Sequence, residues 1–410
     1  MHILFLTDNF PPEVNAPASR THEHCREWVR AGHQVTVVTG APNFPQGRVF
    51  DGYRNRAWQQ EWMDGIRVIR VWTYITANEG FARRVLDYLS FMLSGTLAAL
   101  FTRRVDVVVG TSPQLFTACA AWLVGALKRR PYVFELRDLW PESIKAVGAM
   151  KQSPAITMLE ALEMFLYRRA ARIVSVTNAF RDTLARRGID AAKIDVVTNG
   201  VDIARFSPRP KDAELEQRHG LAGHLVAGYI GTHGMAHALE TLLQAALRLQ
   251  EAHADAGLRL LFLGDGARKA ALQEEATRLG LRNVVFVGSV PKAEVARYWS
   301  LLDVSIIHLR RTELFTTVIP SKLFECMGMG IPVLLGVAGE SAGIVEREGV
   351  GQVFEPENVD HLVQALLTLA RDPALRAAYR ERALAAAGRY DRGALAAQML
   401  RTLESVTARR

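Results

Sequence analysis

The chain has 410 residues, a formal net charge of +8 and a pI near 9.6. Its length suggests two domains or slightly more. A composition of 49% hydrophobic and 22% charged residues excludes disordered and low-complexity classes. The charge favours an anionic partner, such as nucleic acid, a phosphorylated ligand or a membrane surface, although an Arg-rich genome would also explain it. Three cysteines without a CxxC pair argue against a disulfide scaffold and a cysteine zinc site.

The first half of the chain alternates short β-branched segments with longer amphipathic ones. The predicted strands are 2–8, 34–40, 66–73, 105–112, 131–138, 172–178 and 194–198. The predicted helices are 19–31, 83–102, 115–129, 155–170 and 179–187. Near-continuous apolar strands separated by helices are typical of a parallel sheet covered on both faces.

The second half repeats this scheme. The predicted strands are 225–230, 258–263, 283–287, 303–308, 331–335 and 351–354. The predicted helices are 237–253, 268–280, 292–301, 321–329, 341–348, 358–371, 373–387 and 393–408. A polar segment with two prolines, 199–212, separates the halves.

These patterns predict an α/β fold with two Rossmann-like, doubly wound sheets that face a cleft at their carboxyl ends. The predicted organisation is a domain over 1–200, a linker over 201–212 and a second domain over 213–387. A C-terminal helix within 388–410 is expected to pack back toward the N-terminal domain.

The N-terminal residues read as a strand rather than as a secretory signal. The longest apolar run, 88–101, is shorter than the ~20 residues needed to span a bilayer. Arg83–Arg84 and Arg103–Arg104 flank it, and Lys128–Arg130 follow the next helix. This pattern suits the face of an anionic bilayer, and an ordinary buried helix is the alternative. We expect a protein that is cytoplasmic or peripheral on the cytoplasmic face of a membrane.

Several common nucleotide motifs are missing. The sequence contains no Walker A motif and no complete GxGxxG, and no two Asp are separated by one residue. The absence of DxD argues against enzymes that hold a nucleotide-sugar diphosphate through a carboxylate-bound metal. His233 and His237 stand four apart, as zinc-protease ligands do, but no Glu follows the first; a loop residue and a helix residue are the simpler interpretation.

Three segments have features of anion-binding loops. The GTHG sequence at 231–234 and the GDG at 264–266 each follow a predicted strand, where a tight turn is the alternative interpretation. The third segment, 320–322, opens a helix with Ser321 as an expected N-cap. Lys322 there is electrostatically unfavourable unless a negative group binds at the helix N-terminus. Glu325, one turn later, is flanked by apolar residues, so a ligand hydroxyl is a plausible partner.

The chain resembles the family 4 glycosyltransferases of the GT-B fold over essentially its full length. The resemblance is carried, in order, by HILFLTDNFPPE, GHQVTVVTG, VVTNGVDIARFSP, GYIGTHG, LLFLGDG and PSKLFECMGMGIPVLLG. ELRDLWPES at 135–143 and the PSKLFE helix resemble a bacterial subgroup that transfers N-acetylfucosamine-type or related acetamido sugars in O-antigen and capsule assembly.

The resemblance implies a donor site in the second domain. It implies that Glu325 binds the ribose hydroxyls of the nucleotide. It also implies that Pro320–Leu323, which include Ser321 and Lys322, are the loop whose available backbone N–H groups hold the diphosphate. The other donor-side residues that it implies are Thr232, His233, Gly234, Gly264, Asp265, Gly266 and Ser289–Pro291.

The resemblance also implies acceptor and catalytic positions in the first domain. Asn9, Pro12, Glu13 and Arg20 match a loop near the acceptor. Arg137 and Asp138 match a strand end where many members place a cleft-facing His or Asp, and a structural Arg–Asp pair is the alternative.

Two departures from the family pattern matter. The first Glu of the family's E-x7-E motif falls on Thr317, so a contact to a donor-sugar hydroxyl is missing. The stretch after the donor glycine loop, HGMAHALE, lacks the usual Arg and Lys. Lys322, helped by Arg268 or Lys269, is the expected replacement.

The resulting prediction is a retaining, metal-independent glycosyltransferase that needs no cofactor and no nucleic-acid partner. Its expected donor is a UDP-sugar, and its expected acceptor is a polyprenyl-diphosphate-linked saccharide or lipopolysaccharide. A UDP-sugar epimerase of GT-B fold and a non-catalytic scaffold with a nucleotide fold are the alternatives.

Overall fold

The computed structural model describes residues 1–44, 47–76, 81–140, 153–291 and 293–408. The chain forms two compact units, Met1–Asn199 with Arg392–Arg410, and Gly200–Asp391. Each unit contains one sheet of mainly parallel strands with buried clusters on both faces. The predicted α/β class with two doubly wound sheets is confirmed.

The first unit holds an eight-stranded sheet. Its strands are β1 (His2–Leu6), β2 (Gln34–Gly40), β3 (Trp58–Met63), β4 (Ile66–Val71), β5 (Val107–Thr111), β6 (Tyr132–Leu136), β7 (Arg172–Ser175) and β8 (Ile194–Val196). The helices that connect them are α1 (Ala16–Arg30), α2 (Phe81–Phe101), α3 (Leu115–Lys128), α4 (Pro154–Arg169) and α5 (Asn178–Arg186). The motif residues 141–143 lie outside the described residues.

The central strand of this sheet shows why the sequence folds in layers. All five residues of β1 are buried. Leu4 and Leu6 enter one core cluster, while Ile3 and Phe5 enter another, because successive side chains of a strand point to opposite faces. A continuous apolar run therefore suits a strand covered on both sides.

The strand order of the first sheet is β3-β4-β2-β1-β5-β6-β7-β8, so the direction of winding reverses between β1 and β5. Only β3, at the edge, runs antiparallel to its neighbour among the described strands. Sequence reasoning missed β3 because WQQEWM is polar, and its residues alternate between exposed and half-buried without any buried run.

The second unit holds a six-stranded parallel sheet in the order β11-β10-β9-β12-β13-β14, which reverses between β9 and β12. Its strands are β9 (Leu225–Ile230), β10 (Leu258–Leu263), β11 (Val284–Val287), β12 (Val304–His308), β13 (Val333–Gly336) and β14 (Gly351–Val353). Its helices are α6 (Ala213–Arg218), α7 (Glu240–Ala252), α8 (Lys269–Arg278), α9 (Val295–Trp299), α10 (Lys322–Met329), α11 (Glu340–Glu348), α12 (Val359–Arg371) and α13 (Pro373–Ala387).

The structure assigns the segment after residue 200 and the last helix to different units. Val201 and Phe206, in the segment expected to be a linker, are buried in the core of the second unit. The last helix, α14 (Arg392–Thr407), belongs to the first unit and packs on α1. There the indole N–H of Trp28 donates to the carbonyl of Ala396 at 2.8 Å, and Met399 is fully buried.

Candidate functional site

The second unit has a pocket of about 420 Å³ beside the β9 strand end. Ligands of open α/β sheets bind at carboxyl strand ends where the winding reverses, as it does between β9 and β12. Residues from the ends of β9, β10 and β11 and from the start of α10 line it. They include Gly231, Thr232, His237, Gly264, Asp265, Ser289, Ser321, Lys322 and Glu325.

Two glycine loops beside this pocket pack directly on each other. A Cβ at Gly264 would lie 1.9 Å from the carbonyl oxygen of Gly231, and a Cβ at Gly266 would lie 2.6 Å from that of His233. All three glycines have positive φ, between 146° and 152°. The backbone N–H of His233 donates to Asp265 at 2.8 Å. The loops therefore need glycine for their own close packing, whether or not a ligand approaches.

Lys322 is the cationic side chain among the described residues that line this pocket. Its Nζ lies 3.9 Å from the ring centroid of Tyr229, a cation–π contact. Burial lowers the pKa of Lys322 to about 8, against an opposing effect of Glu325 and Cys326. No described carboxylate forms an ion pair with it. A half-buried ammonium that forms no ion pair with a described carboxylate is well placed to meet a diphosphate.

Tyr229 also fixes the loop that follows β9, although the sequence did not point to it. This tyrosine is 1% exposed, and its hydroxyl donates to the carbonyl of Thr232 at 2.8 Å. A Cβ at Gly231 would lie 2.6 Å from the Lys322 ammonium. One ring therefore links the end of β9, the loop that follows it and the lysine of α10.

The start of α10 leaves fewer free N–H groups than expected. Ser321 occupies the N-cap position without a side-chain cap bond. The N–H groups of Leu323 and Phe324 donate to Pro320 and Ser321 at 3.1 Å each. Of the predicted loop, the N–H groups of Ser321 and Lys322 remain without a recorded acceptor in the described part of the chain. The Leu323 side chain is buried in the core.

The two histidines differ in position. The His233 side chain is fully buried against Phe262 and Phe286, and neither ring nitrogen has a partner among the described residues. The His237 side chain lines the pocket. Burial first, and then the nearby lysine charges, lower both pKa values to about 4. Both rings are neutral at neutral pH, so they contribute no charge toward a diphosphate.

The other expected cations are engaged. Arg268 bonds Glu240, at 2.6 Å from its NH2. Lys269 lies 3.8 Å from a carboxylate oxygen of Asp265. The expectation that Lys322, helped by Arg268 or Lys269, replaces the family's Arg and Lys stays a prediction.

Thr317 lies in a short 3-10 helix, Leu314–Thr317. Its hydroxyl donates to the carbonyl of Leu314 at 2.8 Å. Thr317 is not among the described residues that line the pocket, whereas Glu313 and Thr316 line a neighbouring one. The donor-sugar role of Thr317 is not shown by this geometry.

The first unit has its own pocket, of about 180 Å³, where β1 and β5 end. Asn9 lines it, donating to Asp8 at 3.0 Å and accepting from Asn15, the N-cap of α1, at 2.7 Å. Glu13 is buried and accepts from the backbone N–H groups of Asn43 and Phe44 at 2.8 and 2.9 Å. Glu13 thus holds the loop that forms one wall of this pocket, and Pro12 is not among the lining residues.

Arg20 and Arg137 serve the fold of the first unit. Arg20 is buried, bonds Glu135 at 3.0 Å and donates to the carbonyls of Thr198 and Val197. Arg20 is not among the described residues that line the pocket, and its expected acceptor-side position stays a prediction. Burial lowers the pKa of Arg137 to about 10, and its NH1 donates to the Pro17 carbonyl.

Ser112 connects the pocket with the predicted catalytic pair. Its hydroxyl accepts from the backbone N–H groups of Arg137 and Asp138 at 2.8 and 3.2 Å. Neither Arg137 nor Asp138 is among the described lining residues, while Ser112 is. Sequence reasoning missed Asp8, Asp87 and Gln114, which also line the pocket. Asp8 follows a buried strand, which is the same signal that pointed to Asp138.

No three His, Cys, Asp or Glu side chains of the described residues cluster as metal ligands do. Among the described helices, none is long and apolar enough to cross a membrane. Both observations concern the described part of the chain only.

Family models match most of the chain. One, described as a glycosyl transferase 4-like domain, matches residues 15–200, and another, described as glycosyl transferases group 1, matches residues 224–372. The chain belongs to the family 4 glycosyltransferases of the GT-B fold.

The chain is similar along most of its length to bacterial glycosyltransferases, including two from Escherichia coli and Streptomyces fradiae. The putative colanic acid biosynthesis glycosyl transferase WcaI of Escherichia coli is 27% identical, over 94% of this chain and 98% of the relative. The 2-deoxystreptamine N-acetyl-D-glucosaminyltransferase of Streptomyces fradiae is also 27% identical, over 88% of this chain and 84% of the relative.

Solved structures show the same fold. HepE of Anabaena, solved in complex with UDP-glucose, superposes with a TM-score of 0.70 at 19% identity, over 99% of this chain and 100% of HepE. This similarity confirms the GT-B fold and carries no statement about the substrate of the present chain.

Proposed function

We propose that this glycosyltransferase moves an acetamido or 6-deoxyacetamido hexose from a UDP-sugar to a lipid-linked saccharide or lipopolysaccharide in cell-surface polysaccharide synthesis. The observation that carries the donor side is Lys322, a half-buried cation held over the Tyr229 ring without an ion-pair partner among the described carboxylates. It lies one turn before Glu325 in a pocket at a sheet switch point. The colanic acid relative supports a cell-surface product, and the UDP-glucose complex of HepE supports UDP.

The reaction that we propose retains the anomeric configuration and uses no metal. The bond between the sugar C1 and the diphosphate oxygen breaks, and the diphosphate leaves with the electron pair. A bond from C1 to an acceptor hydroxyl oxygen forms, and the hydroxyl proton passes to the leaving phosphate. The Lys322 ammonium and the N–H groups of Ser321 and Lys322 stabilise the charge that develops on the diphosphate. Asp138 orients the acceptor.

The acetamido preference rests on the family pattern, in which Thr317 takes the place of the first Glu of E-x7-E, and not on a pocket contact, because Thr317 is not among the described lining residues. A Glu at this position would accept hydrogen bonds from a sugar hydroxyl as a charged group. The Thr317 hydroxyl instead donates to Leu314, which leaves a methyl group and no charge. An apolar substituent, such as an acetamido methyl or a 6-deoxy carbon, fits this environment better than a hydroxyl does. The N-acetylglucosaminyltransferase among the relatives supports this class.

The test measures UDP-sugar turnover by the purified chain with and without a lipid-linked saccharide acceptor. A transferase releases UDP stoichiometrically with acceptor glycosylation, a UDP-sugar epimerase converts the donor without acceptor, and a scaffold turns over nothing. The assay is repeated in excess EDTA. Loss of activity in EDTA with recovery in Mg²⁺ or Mn²⁺ contradicts the metal-independent step, and preference for UDP-glucose over UDP-acetamido sugars contradicts the proposed donor.

A further inference from the structure

The pocket of the first unit has a chemistry that defines the acceptor more closely than the proposed function does, and the inference rests on that function. It lies where β1 and β5 end, at the strand pair where the winding of the sheet reverses. Open α/β sheets bind ligands at this position. Its volume of about 180 Å³ is large enough for one sugar ring.

The charge of this pocket opposes that of the whole chain. Asp8 and Asp87 line it, and none of its described lining residues is Lys or Arg, although the chain carries a net charge of +8. Burial first, and then the charges of Asp87 and Glu13, raise the pKa of Asp8 well above its usual range. The raised pKa of Asp8 shows that these surroundings disfavour negative charge, so a phosphate or carboxylate would be disfavoured here too. Hydroxyl groups would instead find the carboxyl oxygens of Asp8 and Asp87 as hydrogen-bond partners.

A buried hydrogen-bond donor points independently to a ligand. Gln114 is 6% exposed and lines the pocket. Its Oε1 accepts from the Thr117 hydroxyl at 3.1 Å, but its Nε2 is buried without a partner among the described residues. Buried donors are almost always satisfied, so an oxygen acceptor from a ligand is the natural partner.

Apolar surface completes the site. Phe44, 40% exposed, and Tyr88 lie on the same pocket as the carboxylates. The backbone of Phe44 is fixed by Glu13. Aromatic rings beside carboxylates and an amide match a pyranose, which has C–H faces and hydroxyl edges.

We infer that this pocket binds the terminal sugar of the acceptor and selects an uncharged, hydroxyl-presenting sugar over one that carries a carboxylate or a phosphate. Gln114 donates to a sugar oxygen, and Asp8 and Asp87 set the charge selection. The acceptor is thus an oligosaccharide whose reacting end is neutral, whatever anionic lipid carrier it has further away.

The experiment compares binding of octyl glucoside and octyl glucuronide, below their micelle concentrations, to the full chain by saturation-transfer NMR without any donor. These probes differ only in a hydroxymethyl or carboxylate group. The wild-type chain is expected to bind the glucoside and to discriminate against the glucuronide. Gln114→Leu is expected to weaken glucoside binding roughly five- to a hundred-fold, because one buried hydrogen bond is lost.

A second variant tests the discrimination against a charged sugar. Asp87→Asn is expected to admit the glucuronide while the glucoside still binds, a change of preference that a merely structural role would not produce. Gln273→Leu, an exposed position on α8 of the second unit, is the control and is expected to leave both affinities unchanged. Thermal unfolding verifies that each variant is folded.

Three outcomes overturn the inference: equal binding of the two probes by the wild type, no binding of either, or glucoside affinity unchanged in folded Gln114→Leu. If the expected preferences are found but no nucleotide sugar is turned over with any acceptor, the proposed transfer fails and the sugar pocket stands.

Discussion

Lys322 shows how one residue can combine a structural cost with a functional gain. A lysine at a helix N-terminus opposes the helix dipole, and its burial disfavours the charge. The Tyr229 ring offsets part of this cost by about 0.5–2 kcal/mol. A bound diphosphate would offset the rest of this cost. Ligand binding is therefore expected to stabilise the charged form of Lys322.

The pKa of Lys322, about 8, predicts the pH dependence of UDP binding. Below this pH the ammonium is present, and above it the neutral amine dominates, while the diphosphate, whose last ionisation lies at about pH 6, is already fully charged above about pH 7.5. We expect UDP affinity, measured by calorimetry from about pH 7.5 to about pH 9.5, to decline as the pH rises past the Lys322 pKa. Lys322→Arg should remove this decline because its guanidinium stays charged. A flat wild-type profile contradicts the assignment.

Glu325 gives a second test at the residue scale. Glu325→Gln replaces a charged acceptor by a neutral one, so UDP binding should weaken by roughly 1.5–3 kcal/mol, or about ten- to a hundred-fold. The matched control is Glu346→Gln, an exposed glutamate on α11 of the same unit. Equal UDP affinity of both folded variants would remove Glu325 from the donor site.

At the scale of elements, the interlocked glycine loops tie β9 to β10. Gly264→Ala places a Cβ 1.9 Å from the Gly231 carbonyl at a φ of +146°. We expect a loss of about 1–3 kcal/mol in the free energy of unfolding, because the backbone of both loops must shift. Differential scanning calorimetry measures the loss of stability, and titration with UDP measures the effect of the shifted loops on nucleotide binding.

The control for this change is Gly343→Ala in α11. A Cβ there meets no atom within 4 Å, and its φ is not positive. Higher helix propensity should make this variant neutral or more stable by up to about 1 kcal/mol. Equal stability of the two alanine variants would show that the loops are not closely packed in solution.

The elements were predictable to different degrees. Buried parallel strands such as β1 are apolar throughout, so the sequence indicates them directly. The edge strand β3 has no such signal because one side of it faces solvent. The sequence pointed to the glycines of the 231–234 and 264–266 loops. It did not show that the two loops need glycine because they pack on each other, since that contact depends on the tertiary fold.

The site was predictable where the signal was local. Lys322 and Glu325 stand out because a charge lies in an apolar helix, and both line the pocket. Tyr229 and Gln114 look like ordinary core and helix-start residues, and only the fold brings them to a lysine or a cavity. Arg20 looks like a ligand-binding residue, yet its partner Glu135 is 115 positions away in the sequence.

At the scale of the whole molecule, the apolar run that was predicted at 88–101 has two faces. Phe91, Ala98 and Ala99 are buried in the first unit. Leu93, Leu97 and Phe101 of the same helix, α2, are 63%, 61% and 75% exposed. Leu127 of α3 adds to the exposed apolar surface at 59%. Within the described part of the chain, one side of the helix is therefore buried in the core and the other side exposes apolar side chains.

Charge beside this surface favours an anionic bilayer as its partner. Arg103, Arg104, Arg129 and Arg130 are exposed at the ends of α2 and α3. Lys128 is different, because its ammonium donates to the carbonyls of Leu100 and Thr102 at the end of α2. Each arginine near an anionic surface is worth about 1 kcal/mol, and the apolar side chains add the free energy of insertion.

We therefore expect the chain to float with vesicles that contain phosphatidylglycerol and to release from them partly at high salt, because salt screens the arginines but not the apolar contacts. The variant Leu93→Ser/Leu97→Ser/Phe101→Ser should lose most of the binding while it stays folded, since these side chains are exposed. Ile203→Ser, at a position 41% exposed in the second unit, is the control and should bind like the wild type. Equal flotation of the triple variant and the control would show that this surface does not contact lipid. Equally strong binding of the wild-type chain to pure phosphatidylcholine vesicles would show that the arginines do not contribute.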